Sequence, residues 1–344
     1  MKDIRTLKVS GVFHVPVMLR EVLEVLVWRE EGVYVDGTVG GGGHAEGILR
    51  RTRGRLVGID RDPEAVAEAG RRLAAFGDRV TLICARFSEM GEILQELGIY
   101  EVDGILLDLG VSWHQIEDPD RGFSYRQDGP LDMRMSPDGP TAEEVVNRYP
   151  EEALVRLFRE YGGERFAKRI ARGICRARGA GPISSTGQLR DIVLSVVPNS
   201  IPHKMLSRVF QAIRIEVNDE LRELERGLEV GFSVLVRGGR LVALSYHSSE
   251  DRIVKEAFRR WKEEGKVRLL GRFFPSQGEV AENPRARGAK LRAVEKLLGG
   301  RDVSKGISGS DVGGWNRGAR LRRAALGAGG GPVADTGGGA LRAG

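Results

Sequence analysis

Cysteine is almost absent from this chain: of 344 residues only Cys84 and Cys175 carry a thiol. They sit in apolar surroundings with no paired spacing, which excludes a disulfide scaffold and reads as two buried, reduced thiols in a cytosolic protein. Histidine is scarce as well. The five residues are scattered, no His/Cys/Asp cluster has metal-ligand spacing, and no metal site is expected. Long apolar runs are missing: none approaches the ~20 residues that a membrane-spanning helix requires. The N-terminal stretch carries Lys2, Asp3, Arg5 and Lys8 and is interrupted by Pro16, so no signal peptide is expected and the cytoplasm is the expected location. What is present is enough apolar material, 41% of residues, to bury a full core in one large domain or two. The net charge of +6 makes the surface mildly attractive to polyanions, but many soluble proteins are basic and charge alone assigns no partner.

The most informative stretch is VDGTVGGGGH, Val35 to His44. An apolar segment, Gly32 to Val35, stops at an acid, a glycine loop follows at once, and a helix-like pattern runs from Ala45 to Arg51. Glycines tolerate positive φ and let the backbone approach a ligand, and the N–H groups of a helix start can face an anionic group. Many glycine runs are only tight turns. Here a second strand, Arg55 to Ile59, ends at Asp60, about 24 residues after Asp36 and close to the spacing of a ribose-binding carboxylate.

Strand-like runs, Val33–Asp36, Arg55–Asp60, Val80–Ala85 and Asp103–Leu109, alternate with helix-like ones through the first third of the chain. Pro63 to Phe76 reads as a helix with proline in its first turn. This alternation predicts βαβ units and a parallel sheet covered on both faces. From Ser112 to Ser207 no buried strand is evident; a polar loop, Asp118 to Pro140, leads into helices. The sheet pattern returns with Arg240–Tyr246, after the turn Arg237-Gly238-Gly239, and Ala289 to Glu295 supplies a last strand. The predicted organisation is one α/β sheet domain, residues 12–111 and 208–298, interrupted by a helical insertion at 112–207. Glycine makes up about a third of residues 299–344. That tail carries Arg320, Arg322 and Arg323 but few large apolar residues, and it is expected to be disordered.

Two cofactor classes compete for the glycine loop. A dinucleotide places its pyrophosphate on the helix start, where the carboxylate of Asp36 would repel it. S-adenosylmethionine carries no phosphate, and its ammonium and sulfonium are cationic. Acids at Asp36 and at Asp108, the tip of the fourth strand, favour that ligand. In an open α/β sheet, ligands bind beyond the carboxyl ends of the strands, so Asp36, Asp60 and Asp108 are expected to converge there.

Eight segments then occur in order: VDGTVGGGGH, GIDRDPEA (Gly58–Ala65), DGILLDLGVS (Asp103–Ser112), RGFSYRQDGPLDMRM (Arg121–Met135), YGGERFAKRIARGI (Tyr161–Ile174), FQAIRIEVNDEL (Phe210–Leu221), GGRLVALSYHSSEDRIVK (Gly238–Lys255) and ENPRARGAKLR (Glu282–Arg292). Together they closely resemble the bacterial 16S ribosomal RNA (cytosine-N(4))-methyltransferase family, called RsmH or MraW, over residues 12 to 297. The resemblance implies a cytoplasmic enzyme that moves the methyl of S-adenosylmethionine to the exocyclic amino group of a cytidine near the decoding (P-site) region of the small ribosomal subunit. It implies a Rossmann-like class I methyltransferase sheet carrying an inserted helical domain, with 16S rRNA in the small subunit as partner. Whether two copies pair as a homodimer stays open.

By the same resemblance, the cofactor positions fall on Gly42, Gly43, His44, Asp60, Phe87, Asp108 and Gln115. Asp60 would accept the ribose hydroxyls and Phe87 would lie on the adenine. Read without the family, Phe87 is an ordinary core phenylalanine, His44 a helix cap and Gln115 a loop amide. The chain departs from the family where Ser112 is followed by Trp113 and His114 rather than by a second serine, which brings an extra aromatic toward the cofactor or target base. Gly288 stands where serine is usual.

A cytosine amino nitrogen is a poor nucleophile, so acceptors on its hydrogens are needed to expose the lone pair. Asp108, or carbonyls beside it, and Ser112 are the expected contacts, with His247 as a second candidate for contacting the base or relaying a proton. The target must leave its stack to reach such a site. On the insertion, Glu164 to Arg178 reads as a helix with Phe166, Ile170 and Ile174 on one stripe. Arg165, Lys168, Arg169, Arg172, Arg176 and Arg178 cover the rest, a candidate phosphate-facing surface. A reading of a different class, a nonenzymatic RNA-binding assembly factor that keeps the cofactor fold as a scaffold, leaves the acids at the strand tips without a purpose. A nicotinamide dehydrogenase is disfavoured by Asp36.

Overall fold

The computed structural model describes residues 16–198 and 202–297. The glycine-rich tail, 299–344, lies outside the described residues. Strands β1 (Val33–Asp36), β2 (Arg55–Asp60), β3 (Val80–Cys84) and β4 (Val102–Asp108) alternate with helices α1 (Leu19–Leu26), α2 (Gly43–Arg51), α3 (Pro63–Leu73) and α4 (Met90–Glu96). Six helices follow without a strand: α5 (Trp113–Glu117), α6 (Ala142–Arg148), α7 (Glu151–Glu160), α8 (Ala167–Arg178), α9 (Thr186–Val196) and α10 (Pro202–Asn218). Helix α11 (Glu220–Val234) then leads into β5 (Leu235–Ser245), α12 (Ser248–Glu263), β6 (Val267–Phe273), α13 (Gln277–Glu282) and β7 (Lys290–Lys296).

The seven strands form one sheet in the order β3-β2-β1-β4-β5-β7-β6, the Rossmann-like arrangement expected of a class I methyltransferase. β1 to β5 run parallel, while β7 is antiparallel to both β5 and β6. The strand order reverses between β1 and β4, which opens a crevice at their carboxyl ends. Alternate side chains serve the two faces. Tyr34, Leu56, Leu106 and Val242 pack under α1, α2 and α3, whereas Val35, Ile105, Leu107 and Leu241 pack under α4, α11 and α12.

The helical segment has its own core, in which Phe158, Ile170, Ile174, Leu189 and Val193 meet Phe210, Ile213 and Val217. These last residues correct the boundary expected at 207. α10 runs unbroken to Asn218, because its apolar residues keep helical spacing and stay buried in the insertion core.

Other local expectations shift for identifiable reasons. α3 stops at Leu73, and a 3-10 segment, Ala74–Arg79, turns on Gly77 at φ 55°. β5 begins at Leu235, so the glycine pair at 238–239 lies within a long strand rather than before it. β6 had no sequence signal: it is the sheet edge, with Arg268, Leu269 and Arg272 exposed, and lacks the alternation of a half-buried strand. Cys84 is exposed and Cys175 only half-buried, which corrects the reading of two buried thiols; Cys84 ends the opposite edge strand β3. No helix among the described residues is long and apolar enough to cross a membrane.

Candidate active site

A crevice of about 650 Å³ opens at the carboxyl end of the sheet and reaches the insertion, within the range of small-molecule sites. Its floor is the glycine loop between β1 and α2. Gly40 and Gly42 have φ of 50° and 80°, and a Cβ on Gly37 would fall 2.7 Å from Leu107. Only glycine lets the backbone lie this low, so the loop leaves room above it. The Gly40 N–H donates to Asp60 Oδ2 at 2.9 Å, and the Asp62 N–H donates to Asp60 Oδ1 at 3.0 Å. Asp60 is thereby fixed at the tip of β2 on the crevice wall, and burial pushes its carboxyl up to about 6.

Asp36 behaves differently from expectation. Its side chain is 1% exposed and is not among the residues lining the crevice. Oδ1 accepts from the Thr38 N–H at 3.2 Å, while Oδ2 has no hydrogen-bond partner. Burial, reinforced by the negative charges of Asp108 and Asp60, pushes this carboxyl up to about 8. Asp36 sits beneath the loop and does not face a ligand directly.

Asp108 does line the crevice. Its N–H donates to Thr38 Oγ1 at 2.6 Å, which locks the tip of β4 to the glycine loop. Its Oδ1 accepts the Tyr246 hydroxyl at 2.7 Å, and Oδ2 lies 3.5 Å from His44 Nδ1. His44, buried in the first turn of α2, places Nε2 2.9 Å from the Val17 carbonyl oxygen.

Ser112 caps α5 by accepting the Gln115 N–H, and the Gln115 amide oxygen accepts the Ser112 N–H in return. Gln115 is buried, and its Nε2 donates to Asp62 Oδ2 at 2.7 Å. Arg121 from the following loop donates to the same Asp62 oxygen at 2.8 Å and to Glu64 at 2.9 Å. The start of the insertion is thus tied to the loop after β2.

Phe87 faces the crevice and rests against Gly227 of α11. His247 caps α12: Nδ1 accepts the Glu250 N–H at 3.4 Å, and Nε2 is 3.1 Å from Glu250 Oε1. Glu220, His247 and Glu250 bring three potential metal ligands together, which sequence spacing does not reveal. Arg214 donates to both oxygens of Glu220 at 2.8 and 2.9 Å, so a guanidinium already neutralises that carboxylate and the cluster is an ion-pair network.

Six of the seven expected cofactor residues, Gly43, His44, Asp60, Phe87, Asp108 and Gln115, line this one crevice, as do Ser112 and His247. Gly42 is the exception: it caps α2, packs against Ala69 and Leu73 of α3, and is not among the residues lining the crevice. Trp113 is also there, 38% exposed, with the Arg285 guanidinium 3.3 Å from its ring centroid. Sequence reasoning missed Tyr246, Arg214 and Arg285. Tyr246 adjoins His247 in SYHSSED, so its place at a strand tip was the available signal.

The helix expected from Glu164 begins at Ala167: on α8, Ala167, Ile170, Ala171 and Ile174 are buried, while Lys168, Arg169, Arg172 and Arg176 are exposed, as is Arg165 just before it. Arg178 departs from the expected charged face: it donates to the carbonyls of Val146 and Tyr149 at 2.7 and 2.8 Å and fastens α8 to the turn after α6.

Most of the chain is similar in sequence to proteins of one known family. The model of the MraW methylase family matches residues 11–297. The ribosomal RNA small subunit methyltransferase H of Heliobacterium modesticaldum is 47% identical over 311 residues, covering 83% of this chain and 98% of that one. The protein of the same name from Geobacter sulfurreducens is 50% identical over 307 residues, covering 83% and 99%. Among solved structures, an rRNA methylase from Streptococcus thermophilus aligns with a TM-score of 0.38 at 12% identity, covering 81% of this chain and 94% of that one.

Proposed function

The chain belongs to the MraW methylase family, and we propose that it transfers the methyl group of S-adenosylmethionine to the N(4) amino group of a cytidine in the P-site region of 16S rRNA. The small ribosomal subunit in the cytoplasm would be its substrate. The observation that carries this reading is the convergence of Asp60, Asp108, Phe87 and the glycine loop on one crevice at the switch point of the sheet.

The residues present suit this cofactor. The loop leaves space above Gly37 to Gly43, and two carboxyl groups, Asp60 and Asp108, border that space, a setting suited to a cationic ligand. Asp60 would take the ribose hydroxyls, Phe87 the adenine face, and Gly43, His44 and Gln115 the remaining wall. The sulfonium supplies an activated methyl, so the protein's task is to position the acceptor.

Asp108 is the acceptor we assign to the target amino hydrogens, since it is the carboxyl at the tip of β4 that lines the crevice and accepts the Tyr246 hydroxyl. Ser112 and His247 are engaged as helix caps. Their part in the reaction is to hold α5 and α12 where the base must enter. Trp113 and Arg285 form a flat cationic edge at the same crevice, against which an unstacked nucleotide could rest. The exposed cations of α8 give the phosphate-facing surface.

The test compares methyl transfer to isolated small subunits and to naked RNA, followed by mass spectrometry of small-subunit RNA from cells with and without the gene. Loss of one N(4)-methylated cytidine from the P-site region is the expected outcome. An unchanged modification pattern refutes the assignment.

A further inference from the structure

We propose that RNA leaving the crevice crosses the carboxyl edge of the sheet to the end of β6, where Phe274 and Arg272 form a platform for a nucleotide flanking the target. The proposal rests on the reading of small-subunit RNA as the substrate and adds where that RNA runs.

The sheet register puts the two places on one edge. Asp108 pairs with Leu244 of β5, Leu244 with Leu291 of β7, and Leu291 with Phe273 of β6. Neighbouring strands are about 4.8 Å apart, so the last residue of β6 stands roughly 14 Å from the tip of β4 and level with it. Phe274 follows at once and is 52% exposed. One exposed phenylalanine is unremarkable on a protein surface. This one carries the Arg272 guanidinium 4.9 Å from its ring centroid, an arrangement repeated at the crevice by Arg285 on Trp113. Each pair sets a partly open ring beside a positive charge. Unpaired nucleotides call for both, a face on which a base stacks and a cation for the phosphate.

The stretch between the two platforms is anchored. Glu279 of α13 accepts the Met18 N–H at 2.5 Å, Asn283 accepts the Arg285 N–H at 3.3 Å, and Ala286 and Ala289 are buried. From residue 272 to 288 three arginines, Arg272, Arg285 and Arg287, stand against Glu279 and Glu282, and Glu279 is already engaged. A second copy of the chain fits this edge less well. Exposed Arg268 and Arg272 oppose pairing along β6, and its register slips at Gly271, φ 145°, which breaks the edge as a template.

The test uses the full chain and small subunits purified from cells lacking the gene. With p-benzoylphenylalanine in place of Phe274, irradiation should link the chain to the P-site region of 16S rRNA. Links only to distant RNA, to a ribosomal protein or to a second copy of the chain overturn the proposal. Phe274→Ala should raise the subunit concentration for half-maximal methylation about tenfold, the scale of one lost base stack. The rate at saturation and the calorimetric cofactor affinity should hold. Phe274→Trp should restore tight binding and Phe274→Leu should not; recovery by leucine would mean plain apolar contact and overturns the platform. Arg272→Gln should flatten the slope of log affinity against log salt by about 0.7–0.9, and an unchanged slope counts against it. Leu269, also exposed on β6 but about 15 Å back along the chain, gives the control: Leu269→Ser should bind as the parent does, and an equal loss there overturns the proposal. Failure of the parent to methylate the subunit would count against the function, while the cross-link would still decide the RNA path.

Discussion

Gly227 of α11 leaves so little room beside Phe87 that a Cβ there would lie 2.2 Å from the ring's Cε2. The ring is thereby pressed against a helix backbone on one side and bounds the crevice on the other. Gly227→Ala should push the ring into the crevice and cost about 1–3 kcal/mol of stability through overpacking. If Phe87 carries the adenine, cofactor affinity should drop by about tenfold or more, a loss on the scale of that displaced contact. Gly231, one turn further along, meets its neighbours at ordinary contact distances of 3.4 Å and beyond. Gly231→Ala is the matched control and should bind the cofactor normally. Calorimetric titration of both variants separates a specific effect from general loosening of α11.

Asp36 makes stability depend on pH in a direction opposite to most carboxylates. Its folded-state pKa is pushed from 3.8 up to about 8. Between those limits the folded chain holds a proton that the unfolded chain has released, so this group's contribution falls as pH rises through that window and levels off above it. Asp36→Asn should remove this slope. Urea unfolding from pH 5 to pH 9 should show the variant gaining on the parent steadily toward pH 8. A constant offset between the two curves would mean that Asp36 is ionised throughout.

Much of the site was legible because it is local. The motif VDGTVGGGGH holds a strand end, a positive-φ turn and a helix start within ten residues, and Asp60 and Asp108 follow as strand tips. What escaped was set at long range. Asp36 looks like its two counterparts in the sequence, yet the loop closes over it, and only packing decides that. The Val17 carbonyl that fixes the His44 ring lies 27 residues earlier. The edge strand β6 carries no alternation because it has no second neighbour to bury it. α10 belongs to the insertion by its packing, and no local break after Ser207 marks where the helical core ends.

Arg121 ties the insertion to the cofactor side. Asp62 is 2% exposed and accepts from Arg121, from Gln115 and from the Glu64 N–H at the start of α3. Arg121→Ala removes the only salt-bridge partner found for Asp62 among the described residues. Loss of about 2–4 kcal/mol is expected, because a buried carboxylate is left with neutral donors alone. Arg121→Lys keeps the charge but cannot reach Asp62 and Glu64 with a rigid fork, so it should recover only part of the loss. Full stability in Arg121→Ala by chemical denaturation would show that the contact is ornamental.

The basic face of α8 distinguishes a phosphate-binding surface from a merely solvated one. Lys168, Arg169 and Arg172 are exposed, whereas Ile170 and Ala171 between them are buried, so substitution of the three should leave the fold intact. Arg172 lies 3.7 Å from Glu151, a surface pair worth little to stability. Each cation that neutralises a phosphate releases counterions, contributing about 0.7–0.9 to the slope of log affinity against log salt. Replacing all three by glutamine should therefore flatten that slope by about 2 and weaken binding to small-subunit RNA by at least tenfold at low salt. Arg178, spent on the carbonyls of Val146 and Tyr149, should behave oppositely. Arg178→Gln should lower stability without changing the slope. Equal slopes for the triple variant and the parent, measured by filter binding from low to moderate salt, would remove α8 from the RNA interface.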